Sequence, residues 1–99
     1  MVIIGMMSYP PESANEMGKR FLESSAIPSY MTLKGPYVYS DLGGGIKIIA
    51  LYEFDQSKLK EAEEVVLNRY AKYFGVPGFT YSVQPWLEIK EALKLIGLG

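Results

Sequence analysis

The chain contains neither cysteine nor histidine, and its charges nearly cancel. Without cysteine there is no disulfide framework and no thiolate chemistry. Without histidine, both the commonest general base and the commonest transition-metal ligand are missing. The net charge of −1 argues against a broad electrostatic surface for nucleic acid or anionic lipid. We therefore expect no metal, no cofactor and no nucleic-acid partner.

Long apolar runs are also missing. The first seven residues are apolar, but they lack a basic leader and a small-residue cleavage site. No run approaches the roughly 18–20 apolar residues needed to cross a bilayer. The sequence thus predicts a cytoplasmic protein without a membrane partner. Its 99 residues, 48% of them apolar, suit a single domain over residues 1–99.

Four segments have the pattern of β-strands. Val2–Tyr9 and residues 46–54 are apolar at both odd and even positions, which indicates strands covered on both faces. Residues 30–40 are interrupted by Gly35-Pro36, so we predict an edge strand or a strand with a bulge. Residues 79–84 alternate between apolar and polar, as expected of a strand with one wet face, and Pro85 is predicted to end this strand.

Three further segments have the 3–4 residue spacing of amphipathic helices, namely residues 14–25, 58–74 and 86–96. Asp55 offers a cap before the second helix, and Gly75 and Gly97 follow the second and third. The resulting β-α-β-β-α-β order, with right-handed crossovers, predicts an α+β ferredoxin-like fold. Its antiparallel four-stranded sheet has the order 4-1-3-2, and a C-terminal helix is added.

The central strands of this predicted sheet are apolar on both faces, but two helices can cover only one face. Val2, Ile4 and Met6 lie on the face opposite to Ile3 and Met7. An exposed apolar surface of several hundred Å² normally marks an interface. We therefore expect a homodimer in which two copies pack these sheet faces about a two-fold axis.

This pattern resembles that of the dimeric α/β-barrel superfamily, and in particular its short prokaryotic members. The likeness covers the whole chain and rests on the hydrophobic first strand, on Gly35-Pro36-Tyr37 in the second, and on the glycine-rich turn at residues 43–45. That turn leads into a strand ending in Glu53-Phe54-Asp55. The resemblance implies two ferredoxin-like sheets closed face to face. It leaves the function open, because the superfamily includes cofactor-independent monooxygenases, haem-handling enzymes, isomerases, small-ligand binders and stress-response proteins.

Aromatic and basic side chains are the candidates for ligand binding. Aromatic rings can line a pocket for a flat or apolar ligand, and tyrosine hydroxyls supply polar contacts. Alternatively, the rings fill the core and the dimer interface, because strands and interfaces are rich in tyrosine. The candidate residues are Tyr9, Tyr37, Tyr39, Tyr52, Tyr81, Trp86, Arg20 and Lys34.

Two other features have competing interpretations. Lys47 and Glu53 could pair or touch a ligand if they face the partner sheet, or they could lie at strand ends and extend into water. The glycine-rich turn leads into a strand, whereas phosphate-binding loops lead into a helix N-terminus. We therefore predict a hairpin turn at residues 41–45.

Three functions remain open at this point. The first is a homodimer that binds a small, partly apolar molecule between sheet and helices. The second is an enzyme of the cofactor-independent oxygenase or isomerase type, using a Tyr, Glu or Lys base in place of histidine. The third is a structural or regulatory self-association domain without a ligand. An RNA-recognition domain is excluded, because residues 46–54 carry aliphatic residues where stacking rings belong.

Overall fold

Four strands and three α-helices make up the chain in the computed structural model, which describes all 99 residues. In chain order they are β1 (Val2–Tyr9), α1 (Ala14–Leu22), β2 (Thr32–Asp41), β3 (Gly45–Glu53), α2 (Leu59–Ala71), β4 (Thr80–Trp86) and α3 (Ile89–Leu95). None of these helices has the length and apolar character needed to cross a lipid bilayer.

The strands form one antiparallel sheet in the order β2-β3-β1-β4. This is the predicted order 4-1-3-2 read from the opposite edge, so the α+β class and the sheet order are confirmed. The arrangement is compatible with a ferredoxin-like fold. The two strands that are apolar on both faces, β1 and β3, are central. In the edge strand β2 the register shifts between Lys34 and Tyr37, at the cis peptide bond of Gly35-Pro36, which confirms the predicted bulge.

Local sequence explains the connections on either side of β3. The predicted hairpin turn joins β2 to β3, and it uses Gly43 and Gly45 at φ of 80° and 83°, a region in which residues with a Cβ are strained. After β3, the side chain of Asp55 accepts hydrogen bonds from the backbone N–H and the hydroxyl of Ser57, at 2.9 and 2.7 Å. This cap orders the turn that leads into α2.

The core lies between one face of the sheet and the helices α1 and α2. Ile3 of β1 and Val66 of α2 are fully buried, and Met17 of α1 packs with them. Side chains of directly paired residues lie on the same face of a sheet, and the register pairs Ile4 with Leu51 and Met6 with Ile49. We call the face opposite to α1 and α2 the open face. Its apolar centre consists of Val2, Ile4, Met6, Ile49 and Leu51.

The C-terminal segment differs from its prediction. β4 continues through Pro85, which pairs with Ile3, and α3 starts at Ile89 instead of Trp86. The strand tolerates this proline because β4 is an edge strand, where a missing N–H is accommodated. The helices α1 and α2 are also shorter than predicted, because they end at Leu22 and Ala71.

The helix α3 is attached to the start of β1 by charge. The N-terminal ammonium of Met1 lies 2.9 Å from a carboxylate oxygen of Glu91 and 3.7 Å from one of Glu88. The backbone N–H of Glu88 donates to the Glu91 carboxylate at 2.8 Å, as part of a capping box. The first turn of α3 is thereby held next to the N-terminus of the chain.

Candidate functional site

An apolar cavity of about 300 Å³ lies between α1 and the strands β1, β2 and β3 of the sheet. Gly18 of α1 is one of its lining residues, and a Cβ added there would find no atom within 4 Å. Eight of the ten lining residues are hydrophobic. The ten lining residues, of which only Tyr9 and Tyr73 carry a polar side-chain group, are Met7, Tyr9, Ala14, Met17, Gly18, Phe21, Pro36, Val38, Ile48 and Tyr73.

A second, smaller space of about 20 Å³ adjoins this cavity. The two spaces share the lining residues Met7, Phe21, Pro36, Ile48 and Tyr73. We call the smaller space the inner end, because it reaches towards the core between β3 and α2. Its lining contains more polar side chains than that of the main cavity. Its additional lining residues include Ser24, Tyr52, Arg69 and Tyr70.

Helical periodicity in α2, and the absence of a side chain at Gly5 of β1, bring these polar groups together. Arg69 and Tyr73 are four residues apart, which places them on the same side of the chain at the end of α2. Tyr70 lies on the buried stripe of α2, and its hydroxyl lies against Gly5 of β1. Tyr52 reaches the inner end from β3, where it lies on the same sheet face as Ile3.

Burial controls the protonation of these tyrosines. Burial, followed by the neighbouring Tyr52 hydroxyl, raises the pKa of Tyr70 far above its ordinary value. Burial also raises the pKa of Tyr73, against a smaller opposite effect of Ser24 and Arg69. At the cavity mouth, burial and then the proximity of Tyr73 raise the pKa of Tyr9. All three therefore remain protonated phenols near neutral pH.

Arg69 is the basic group of the inner end. One of its terminal nitrogens, Nη1, donates to the backbone carbonyl of Ser25. Its guanidinium carbon lies 6.0 Å from the ring centroid of Tyr52, within the range of a cation–π contact. Its Nε is buried and has no hydrogen-bond partner, and it is the one buried side-chain nitrogen or oxygen in the protein in that state.

The arrangement is built to donate hydrogen bonds rather than to bind a metal. No Asp or Glu lines the cavity or its inner end. Nowhere in the chain do three Asp or Glu side chains gather in a group that could hold a metal ion. The available groups are one guanidinium and several hydroxyls beside an apolar space.

The structure separates the predicted site residues into several places. Tyr9 lines the cavity and Tyr52 lines its inner end. Tyr81 stacks on Phe79, with ring centroids 5.5 Å apart, in an aromatic cluster next to α2. Arg20 donates from Nη1 to the backbone carbonyls of Lys72 and Phe74, at 3.0 and 2.8 Å, and so stabilises the end of α2.

The remaining predicted residues belong to the open face. The register places Lys34, Tyr37, Tyr39 and Trp86 there. The charges at its rim form ion pairs within the chain. Lys34 lies 3.3 Å from Glu53, and Lys47 lies 3.4 Å from Asp41. These half-exposed pairs surround the apolar centre of the open face.

Sequence reasoning missed Ser24, Arg69, Tyr70 and Tyr73. Tyr70 and Tyr73 are buried in the core, and both also belong to the lining of the cavity system. The four-residue spacing of Arg69 and Tyr73 was the available signal. A basic residue beside a buried stripe usually extends into solvent, so the spacing alone did not distinguish a site from a surface.

No protein-family model matches this chain, and no curated protein matches it either.

Proposed function

We propose that this protein binds a small, partly apolar molecule in the cavity between α1 and the sheet, and that it does so as a homodimer. The observation that carries the proposal is the cavity itself. Its volume of about 300 Å³ is at the lower end of the range for small-molecule sites. An apolar space with a few polar groups at one end is typical of such sites, because the polar groups orient the ligand.

The open face supports the dimer. Met6 is 48% exposed in the isolated chain, and it lies between Ile4 and Ile49 in the apolar centre. Burying this surface against the same surface of a second copy removes it from water, which is worth about 25 cal/mol per Å².

Ligand binding can be tested with the neutral fluorescent probe N-phenyl-1-naphthylamine. The wild-type protein is expected to bind it with increased fluorescence. Gly18→Leu adds a side chain to the helix face that lines the cavity, so it is expected to weaken binding about tenfold or more, equivalent to about 1.4 kcal/mol. Lys19→Leu is the matched control, because it adds the same leucine to the exposed neighbouring position.

Wild-type binding of the probe that is unchanged in Gly18→Leu would place the probe elsewhere and contradict the proposal. The dimer is tested separately by light scattering. The expected mass is twice the chain mass of 11.1 kDa, and a monomer at micromolar concentration contradicts the open-face interface.

The enzymatic alternative receives less support. Such an enzyme requires a base. The tyrosines of the cavity cannot accept a proton near neutral pH, because burial raises the pKa of Tyr9, Tyr70 and Tyr73 and keeps their hydroxyls protonated. Neither Glu nor Lys lines the cavity or its inner end. Binding is therefore the function that the cavity supports best.

A further inference from the structure

We infer that the ligand of the cavity is a small carboxylic acid, whose carboxylate places one oxygen in the inner end, where Arg69 binds it. Such a ligand presupposes the proposed binding function and adds a chemical class to it. Four features lead to this assignment: an unsatisfied donor, its fixed position, the absence of a competing anion and the size of the space.

The unsatisfied donor is Nε of Arg69. Buried polar groups in proteins nearly always have a hydrogen-bond partner, and leaving a charged donor without one is costly. Arg69 is one of the residues that line the inner end, and its Nε is buried without such a partner. An oxygen of a bound ligand in this space supplies the missing acceptor.

The guanidinium is held in position before any ligand arrives. Its Nη1 donates to the carbonyl of Ser25, and its planar group lies near the Tyr52 ring. An arginine fixed in this way loses little rotamer freedom on binding, and its planar array of N–H groups matches a carboxylate. The remaining donors are therefore preorganised for an anion.

The other polar groups reinforce this preference. The hydroxyl of Tyr73 remains protonated, because burial raises its pKa, and it can donate. No carboxylate of the protein lines either part of the cavity. The positive charge of Arg69 is thus without a partner acid at the inner end, and it favours a negatively charged ligand group.

The volumes limit which anion fits. The inner end, at about 20 Å³, has room for about one water-sized group. One oxygen of a planar carboxylate fits there, whereas a tetrahedral phosphate or sulfate needs more room around the same oxygen. The cavity of about 300 Å³ then receives the apolar body. Small aromatic or aliphatic carboxylic acids meet both conditions.

The test compares 2-naphthoate with its neutral analogue 2-naphthamide, by isothermal titration at neutral pH. The two compounds share the same rings, so the ratio of their affinities measures the contribution of charge. Wild-type protein is expected to bind the acid at least about tenfold more tightly than the amide, because hydrogen bonds to charged groups are the stronger ones.

The variants identify the residue that is responsible. In Arg69→Gln the two affinities are expected to become equal, while the affinity for the amide stays close to that of wild type. Arg20→Gln is the matched control, because Arg20 binds backbone carbonyls at the end of α2 and does not line the cavity. It is expected to retain the preference for the acid. Tyr73→Phe keeps the ring and is expected to reduce the preference, which provides a second variant if Arg69→Gln does not fold.

The outcomes separate this assignment from the proposed function. Equal wild-type affinity for acid and amide, with both weakened by Gly18→Leu, overturns the carboxylate and leaves small-molecule binding intact. A preference for the acid that persists in Arg69→Gln overturns the role of Arg69. If the naphthylamine probe binds but 2-naphthoate and 2-naphthamide do not, the carboxylic acid class is wrong. If none of the three compounds binds, the proposed function itself fails.

Discussion

The phenol of Tyr70 on α2 lies against the backbone of Gly5 in β1. A Cβ placed on Gly5 would be 2.7 Å from Cζ of Tyr70 and 3.1 Å from its Cε1. The first of these distances is shorter than protein atoms of this kind tolerate. Glycine at position 5 therefore allows Tyr70 to extend to the inner end of the cavity.

Gly5→Ala is expected to destabilise the protein, because the added methyl group must displace Tyr70. Overpacking of this kind typically costs about 1–3 kcal/mol. Urea denaturation measures the effect. Gly18→Ala is the matched control, since its new Cβ meets no atom within 4 Å and alanine favours a helix over glycine by about 1 kcal/mol. Wild-type stability of Gly5→Ala would show that Tyr70 is not held against Gly5.

Ile49→Glu is expected to convert the proposed dimer into a monomer. Ile49 lies in the centre of the open face, paired with Met6 on one side and with Tyr37 on the other. Two copies of a carboxylate buried without partners cost more than the interface returns. Sedimentation velocity distinguishes the two masses. Leu42→Glu, in the exposed β2–β3 turn, should stay dimeric, and a dimeric Ile49→Glu variant would place the interface elsewhere.

Alkaline pH is expected to destabilise the protein through Tyr70. Burial raises the pKa of Tyr70 above its ordinary value of 10.0, so the unfolded chain loses this proton at lower pH than the folded chain does. The contribution to stability is therefore fully present below pH 10 and is lost as pH rises towards the higher folded-state pKa. Tyr70→Phe should lose less stability than wild type between about pH 8 and about pH 11.

Denaturation curves at both pH values measure this difference. Tyr39→Phe serves as the control, because Tyr39 is exposed on β2 and its removal should leave the alkaline sensitivity unchanged. An equal alkaline loss in wild type and Tyr70→Phe would mean that Tyr70 is not a source of the effect.

Acid is expected to release α3 from the start of β1. The backbone N–H of Glu88, and then the Met1 ammonium, lower the pKa of the Glu91 carboxyl below its ordinary value of 4.5. A lowered folded-state pKa means that the stabilisation is present above pH 4.5 and is lost as pH falls through the lower folded-state value.

Hydrogen exchange of the α3 amides measures this release. Glu91→Gln should show faster exchange than wild type at neutral pH, and the two proteins should converge in acid. Glu64→Gln, which changes an exposed carboxylate on α2, should behave like wild type. Identical α3 protection in Glu91→Gln and wild type at neutral pH would rule out this attachment.

The predictions from sequence were accurate where the pattern is local and periodic. The two-sided apolar pattern of Val2–Tyr9 identified a central strand, and Gly35-Pro36 identified an irregular edge strand. Boundaries were less accurate. Pro85 was expected to end β4, but on an edge strand a proline can remain within the strand, and only the position of β4 in the sheet reveals this.

The candidate site was predicted in part. Tyr9 and Tyr52 line the cavity system, whereas Tyr37 and Tyr39 belong to the open face. These four tyrosines lie on strands, where side chains alternate between two faces. Their sequence positions do not say which face carries a cavity, because that depends on how α1 packs on the sheet.

The sequence by itself determined the order of the elements, the order of the strands and the presence of an apolar face that α1 and α2 do not cover. These properties follow from hydrophobic periodicity and from turn residues, which act over a few positions. Only the tertiary structure decided that Arg69 and Tyr70 of α2 meet Tyr52 of β3 beside an apolar cavity. That meeting depends on helix–sheet packing and on the missing side chain of Gly5, and such long-range geometry is not encoded in any local pattern.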